Sequence, residues 1–284
     1  MIWAISYGNE KYEKSRDFNL KSALSKGKVD KVIAYGPDDI EKDVFEKNKS
    51  VFTKSKGAGY WLWKPYFIYK TLEKMPENDY LIYTDSGMTY VRDVRLLINC
   101  MEKHQQKIMC FEIEAIEKSS TKRDLFIALD CDTAEYTDSR QRLGGIVICK
   151  NCEYSRNIIF QWLSYAQDET LITDCENTLG LPNYPEFMYH RHDQSIWSLI
   201  TKKNDIPAFR DPTHFGKFGK VFKESAERSN YPTIFYLHRS GSVTSWFKVY
   251  CLTFSSWLYL KFKFYRKLYE LYGKAYRFYE KHFK

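Results

Sequence analysis

Tyr80-Leu81-Ile82-Tyr83-Thr84 is a run of β-branched and aromatic residues without polar alternation, so as a strand it has to be covered on both faces. That makes it a central strand of an α/β sheet. The run ends in Asp85-Ser86-Gly87. A carboxylate therefore stands at the carboxyl end of the strand, the edge at which open α/β sheets bind ligands, and the glycine behind it lets a ligand come close to the backbone. Taken alone, the same residues also read as a strand entering a polar turn. The stretches before and after it weigh toward a site.

Ile2 to Ser6 reads as a first strand, followed by Tyr7-Gly8-Asn9 and a polar, helix-prone stretch through Leu24. Lys31 to Tyr35 is a second short strand that turns at Gly36-Pro37. Strand, helix, strand from the first residue predicts a parallel sheet with right-handed crossovers. Nucleotides commonly lie across such a first strand, which makes Tyr7 and Asn9 candidate contacts. Helices are expected over Tyr66 to Met75, Val94 to His104 and Glu153 to Gln167, with further strands over Ile108 to Ile113 and Leu143 to Cys149. The last strand, from Ile234, ends at His238-Arg239-Ser240-Gly241.

Between Lys56 and Pro65 two glycines, three large aromatics and Lys64 are crowded just before a helix, with Pro65 suited to its first turn. This stretch is either an aromatic helix start packed on the sheet or a loop at the rim of a site with Lys64 near a phosphate. It is no phosphate loop, because the GxxxxGK[ST] spacing is missing. Lys122-Arg123-Asp124 precede an apolar turn, and Gly144-Gly145 lead into a buried strand. His190 and His192 are expected to point apart, which argues against a shared metal. Asp193 is expected as the cap of a helix or as a site carboxylate at its positive end.

Composition narrows the class. With 44% hydrophobic and 28% charged residues the chain is globular, and no apolar run reaches the ~18 residues that a membrane-spanning helix requires. Seven cysteines, with one CxxC at Cys149 and Cys152 and no second pair, fit reduced thiols in a cytosolic compartment better than zinc. The opening residues read as a strand, not as a signal peptide. The net charge of +8 is uneven: residues 243–284 hold nine basic and two acidic side chains, leaving the rest at +1.

In this order the motifs resemble those of the GT-A glycosyltransferases, and most closely the family-8 type that includes lipopolysaccharide galactosyl- and glucosyltransferases. In that family the central strand ends in DxD, a later strand opens with small residues, a helix begins with DQ, and a last strand ends in HxxG. Here the matching segments are Thr84 to Gly87, Arg142 to Ile148, His192 to Ser195 and His238 to Gly241, within residues 1–241. The resemblance implies a mixed, mainly parallel Rossmann-like sheet flanked by helices, over residues 1–242, and an enzyme that moves a sugar from a nucleotide diphosphate donor to a glycan or glycolipid acceptor. It implies Asp193 and Gln194 at the reacting sugar, and Tyr7, Asn9, Lys64, Asp85, Ser86, Arg123, Gly144 and Gly145 around the donor. Asp85 and His238 match the family's divalent-cation ligands, for Mn²⁺ or Mg²⁺. The second DxD aspartate is Gly87 here. The leaving diphosphate is then neutralised either by a cation or by basic residues such as Lys64, Lys122, Arg123, Arg140 and Arg142.

Residues 243–284 form a tail in which Trp246, Trp257 and many Tyr and Phe interleave with Lys and Arg. That composition suits an amphipathic segment lying on an anionic membrane surface, on the inner face of a cytoplasmic membrane. Two other readings stay open: core packing with snorkelling lysines, and stacking on single-stranded nucleic acid. No nucleic-acid partner is expected. The alternative to an enzyme is a protein of the same fold that binds a nucleotide sugar or nucleic acid without turnover.

Overall fold

The structure, a computed structural model, describes residues 1–218 and 222–261. Strands β1 (Ile2–Tyr7), β2 (Lys31–Tyr35), β3 (Tyr80–Thr84), β5 (Ile108–Ile116), β6 (Arg140–Arg142), β7 (Ile146–Lys150) and β8 (Ala208–Arg210) form one sheet. Its order is β2-β1-β3-β7-β5-β6, with β8 also on β5. A separate ribbon pairs β4 (Met88–Tyr90) antiparallel with β9 (Phe235–Leu237).

β1 lies parallel to both β2 and β3, as the opening strand-helix-strand pattern requires. β7 departs from a purely parallel arrangement. It enters between β3 and β5 and runs antiparallel to both, with Leu81 opposite Cys149 and Ile108 opposite Cys149 on the other side. The sheet is therefore mixed and mainly parallel.

Period-two side chains divide the core into two layers. Trp3, Ile5, Leu81, Tyr83, Val147 and Cys149 face one way, under the helices Trp63–Lys74, Glu153–Ala166 and Asp193–Lys203. Ile2, Ala4, Ile82, Ile146 and Ile148 face the other, toward Leu97, Ile98 and Met101 of the helix Arg95–Lys103. Both faces of β3 are thus covered, and Leu81, Ile82 and Tyr83 are buried. Each side chain of this size contributes roughly 1.5–3 kcal/mol on burial, so the centre of the sheet is a main source of the fold's stability.

Two expected boundaries shift. The helix expected from Tyr66 begins at Trp63, with Pro65 inside its first turn, where the missing N–H costs nothing. β5 continues to Ile116, because its far half finds a partner in β6.

Candidate active site

β1 and β3 deliver Tyr7 and Asp85 to the same edge of the sheet, where a cleft of about 1710 Å³ opens. A single small-molecule pocket occupies ~300–1,000 Å³, so this cleft has room for two ligands side by side. Its walls include Tyr7, Asn9, Lys64, Asp85, Ser86, Gly145, Asp193 and Gln194.

The turn after β3 is fastened from behind. The buried Asn19 amide donates to Thr84 Oγ1 and to the Met88 carbonyl, both at 2.9 Å. Asp85 N–H donates to the Gly145 carbonyl at 3.0 Å, and Tyr83 Oη donates to Asp85 Oδ1 at 2.5 Å. Burial holds the Tyr83 phenol well above its usual range, so it remains a donor. The glycine pair is required by close approach. A Cβ on Gly145 would stand 2.8 Å from Asp85 Oδ2, and one on Gly144 would stand 2.9 Å from Gln194 Cβ.

Lys64 ties the site together. Its buried ammonium lies 2.5 Å from Asp193 Oδ2 and 3.5 Å from Asp85 Oδ1. Burial alone would lower the Lys64 ammonium, but the carboxylates of Asp193 and Asp85 outweigh it and keep the group charged. Burial pushes the Asp193 carboxyl up to about 6, against the pull of Lys64 and with Asp85 adding to the rise. Two carboxylates thus share one cation at the floor of the cleft. Lys64 is committed to them and is not free for a phosphate.

Asp193 is the first residue of its helix, while His192, at φ 52°, occupies the cap position. The Asp193 side chain turns to Lys64 instead of capping. Gln194 is held at both ends of its amide: Gly144 N–H donates to its Oε1 at 3.0 Å, and its Nε2 donates to Gln141 Oε1 at 2.8 Å. Gln141 belongs to a buried network around Glu117, which accepts from Lys202 at 2.6 Å and from Thr121 at 2.8 Å. A side chain fixed this way keeps one orientation toward the cleft.

The aromatic stretch packs on the sheet and also borders the cleft. Trp63 is buried and stacks on Tyr7 with ring centroids 3.9 Å apart, and burial pushes the Tyr7 phenol up to about 12. Five successive residues, Gly57 to Trp61, have positive φ. For Ala58, Tyr60 and Trp61 that conformation costs roughly 1–2 kcal/mol each. Such strain persists only where surrounding contacts hold it, and here the turn forms one lip of the cleft. Lys56 and Tyr60 bond Asp174 across the chain, at 2.7 and 3.2 Å.

Several sequence-based expectations do not hold. Arg123 does not line the cleft: it pairs with Asp132 at 2.8 Å and stacks over the Tyr184 ring. Lys122 donates to the carbonyls of Thr170 and Cys175, Arg140 lies over Phe222, and Arg142 is buried against Cys110. None of these four is left to neutralise a phosphate. His190 and His192 do not point apart, because residues two apart in an extended segment share a face; their ring centroids are 5.0 Å apart. Each ring nevertheless bonds a backbone carbonyl, of Leu171 and Ile172 respectively, and burial pushes His192 down to about 4.

Asp85 and His238, matched to a cation site by the motif order, are joined by no third ligand among the described residues. Among the described residues no group of three His, Cys, Asp or Glu side chains is placed to hold a metal. His238 is outside the cleft lining, and its Nδ1 accepts from Ser240 N–H. At the strand end the second carboxylate is missing, and Asp85 already faces the Lys64 ammonium. The residues present do not fit a divalent cation.

Two cleft residues carry no signal of their own in the sequence. Arg191 reaches Gln141 and Tyr189, and Arg239 follows His238 within a motif whose histidine takes the attention.

No family model matches the sequence, and no curated protein does. Among solved structures, an active-site mutant of the galactosyltransferase LgtC is similar over 89% of this chain and 95% of its own, at 10% identity and a TM-score of 0.50. Mouse xyloside xylosyltransferase 1 in its apo form is similar over 84% of this chain and 98% of its own, at 11% identity and a TM-score of 0.46. The bifunctional glycosyltransferase WbbM, also apo, is similar over 84% of this chain and 46% of its own, at 8% identity and a TM-score of 0.48. At such identities the likeness is one of architecture. The mixed, mainly parallel sheet flanked by helices, with its cleft at the ends of β1 and β3, is the GT-A fold of nucleotide-sugar glycosyltransferases.

Proposed function

We propose that the chain is a glycosyltransferase that moves a sugar from a nucleoside diphosphate donor to a glycan or glycolipid acceptor of the capsule, O-antigen or lipopolysaccharide type. The observation that carries this reading is the Lys64 ammonium shared by Asp193 and Asp85 at the floor of a two-ligand cleft. The base of a donor fits the wall of Tyr7, Asn9 and Trp63, with Asp85 accepting from the ribose hydroxyls, Ser86 toward the diphosphate, and Asp193 and Gln194 at the sugar. In transfer the bond from sugar C1 to the phosphate oxygen breaks and its electron pair leaves with the diphosphate. C1 bonds to an acceptor oxygen, whose proton passes to a base, and Asp193 is the buried carboxylate in reach of that role.

The test is release of nucleoside diphosphate from a panel of UDP-, GDP- and dTDP-sugars by the purified protein. Asp85→Asn should lower that rate at least about tenfold, as expected for lost charge-assisted contacts, with a melting temperature within a few degrees of wild type. An equal rate in the variant removes Asp85 from the site. Tight donor binding with no release in the wild type would favour the non-catalytic alternative, which the missing second aspartate also suggests.

A lipid-linked acceptor draws support from the helix Trp246–Lys261. Phe247, Tyr250 and Phe254, spaced i, i+3 and i+7, are exposed along one side, while Val249 and Thr253 are buried on the other. An exposed aromatic stripe beside a basic segment suits an anionic membrane surface on the cytoplasmic side. Residues 262–284 lie outside the described part of the chain. Because Val243 and Val249 are buried, a truncation has to spare them; deleting residues 255–284 removes eight basic and two acidic side chains. The shortened protein should still hydrolyse donor but no longer sediment with anionic vesicles. Binding of the full chain should weaken as salt shortens the Debye length below ~10 Å. Vesicle binding that survives the deletion, or ignores salt and lipid charge, leaves packing as the better account of the tail.

A further inference from the structure

We infer that Arg239 binds the donor's diphosphate and does there the work of a divalent cation, so that donor binding needs no metal; this rests on the glycosyltransferase reading above. The position of the missing carboxylate and the position of this arginine are in contact. Arg239 N–H donates to the Gly87 carbonyl at 3.2 Å, and a Cβ added at Gly87 would stand 3.1 Å from Arg239 Cα. A side chain at 87 would therefore need the space that the arginine backbone fills. At this strand end a carboxylate has been lost and a guanidinium is present.

Arg239 is also placed to act. It is exposed, lines the cleft, and stands at φ 53°, a conformation held by the Gly87 carbonyl, which also accepts from His238 N–H at 2.9 Å. The following residue is tied to the helix Glu13–Ser22 by Ser15 Oγ, which donates to the Ser240 carbonyl at 2.6 Å, and a Cβ on Gly241 would stand 2.7 Å from the Lys11 carbonyl. The arginine thus sits between the Tyr7–Tyr12 segment and the Asp85-Ser86-Gly87 turn, the two walls between which a donor's phosphates would pass.

The other cations of the cleft are engaged. Lys64 serves two carboxylates, Lys56 pairs with Asp174, Arg191 bonds Tyr189, and Arg210 bonds the Tyr231 carbonyl. Lys11 remains beside the Tyr12 ring. Among the described residues Arg239 has no ion pair or side-chain hydrogen bond. When the sugar leaves, the diphosphate gains one negative charge, and a planar guanidinium can meet two of its oxygens at once.

The test is calorimetric titration of UDP, GDP and dTDP into the full-length protein, in EDTA and then in excess Mn²⁺. The tightest binder should bind in EDTA, with an affinity changed by less than about threefold on adding Mn²⁺. Arg239→Ala should weaken that binding at least about tenfold in EDTA, while the matching nucleoside binds variant and wild type alike. Arg239→Lys, which keeps the charge without the fork, should recover part of the loss, and it carries the test if the alanine variant misfolds. Binding seen only with Mn²⁺, or an Arg239→Ala protein that binds as wild type, overturns the inference and leaves the glycosyltransferase reading standing. If none of the three nucleotides binds under either condition, the donor site itself is refuted and the inference with it.

Discussion

Lys64→Met should lower the melting temperature by roughly 10 °C at neutral pH, since removing one partner of a buried charge set costs about 3–5 kcal/mol and each kcal/mol moves a domain of this size by about 2–4 °C. The substitution keeps the length of the apolar stem and removes the ammonium that Asp193 meets at 2.5 Å. It leaves the carboxylate of Asp193 buried and without its cation, facing Asp85 across the same space. Asp193 already titrates at about 6 because of burial, and loss of the Lys64 charge raises it further. A carboxyl whose folded value lies above its unfolded one binds its proton more tightly in the folded state. Its contribution to stability is therefore present at low pH and is lost as pH rises through the folded value. The deficit of Lys64→Met should accordingly be larger at pH 8 than at pH 5. Adding Asp193→Asn, which removes the charge that was stranded, should restore much of the melting temperature without restoring turnover. Thermal denaturation of the two single variants and the double variant at both pH values measures this coupling. A loss of under about 2 °C that is the same at pH 5 and pH 8 would show that the pair is solvated and is no organising element of the site.

Asp193→Asn should lower donor turnover by about 10²–10⁴-fold, the range for a positioned acid or base, and should change the shape of the pH profile. In the wild type the acid limb of kcat/KM should fall below about pH 6, where burial has placed the Asp193 carboxyl. The sign follows from the role proposed: the ionised form takes the acceptor proton or orients the acceptor, so protonation on going down in pH removes activity. The asparagine variant should lack that limb. This separates two roles that a simple loss of rate would not. If Asp193 matters only as the anchor of Lys64, the variant loses stability and some rate but keeps the wild-type acid limb, and the catalytic assignment is wrong. Rates measured from pH 5 to pH 9 on both proteins decide between them.

Much of the architecture is local in origin and was legible from the amino-acid order. The runs at Ile2 and Tyr80 are short, apolar and non-alternating, and such segments have few alternatives to a strand covered on both faces, while the run at Lys31 becomes the partly exposed edge strand. Asp85 at a strand end and Asp193 at a helix start followed from element boundaries, which depend on near neighbours along the chain. Side-chain partners are another matter, because they are set by which distant segments meet. Lys64 and Asp193 are 129 residues apart, and nothing in either segment names the other. Arg123 looked available for a donor because the sequence shows its charge but not Asp132, nine residues on, folded back against it. The antiparallel entry of β7 between β3 and β5 was likewise invisible, since Ile146 to Lys150 would read the same in either direction. Arg239 is the sharpest case: the sequence supplied a glycine where an aspartate was expected and an arginine 152 residues later, and only the β4–β9 ribbon brings the two into contact. Local pattern determines what each segment becomes, whereas the tertiary fold decides which charges are already satisfied and which remain for a ligand.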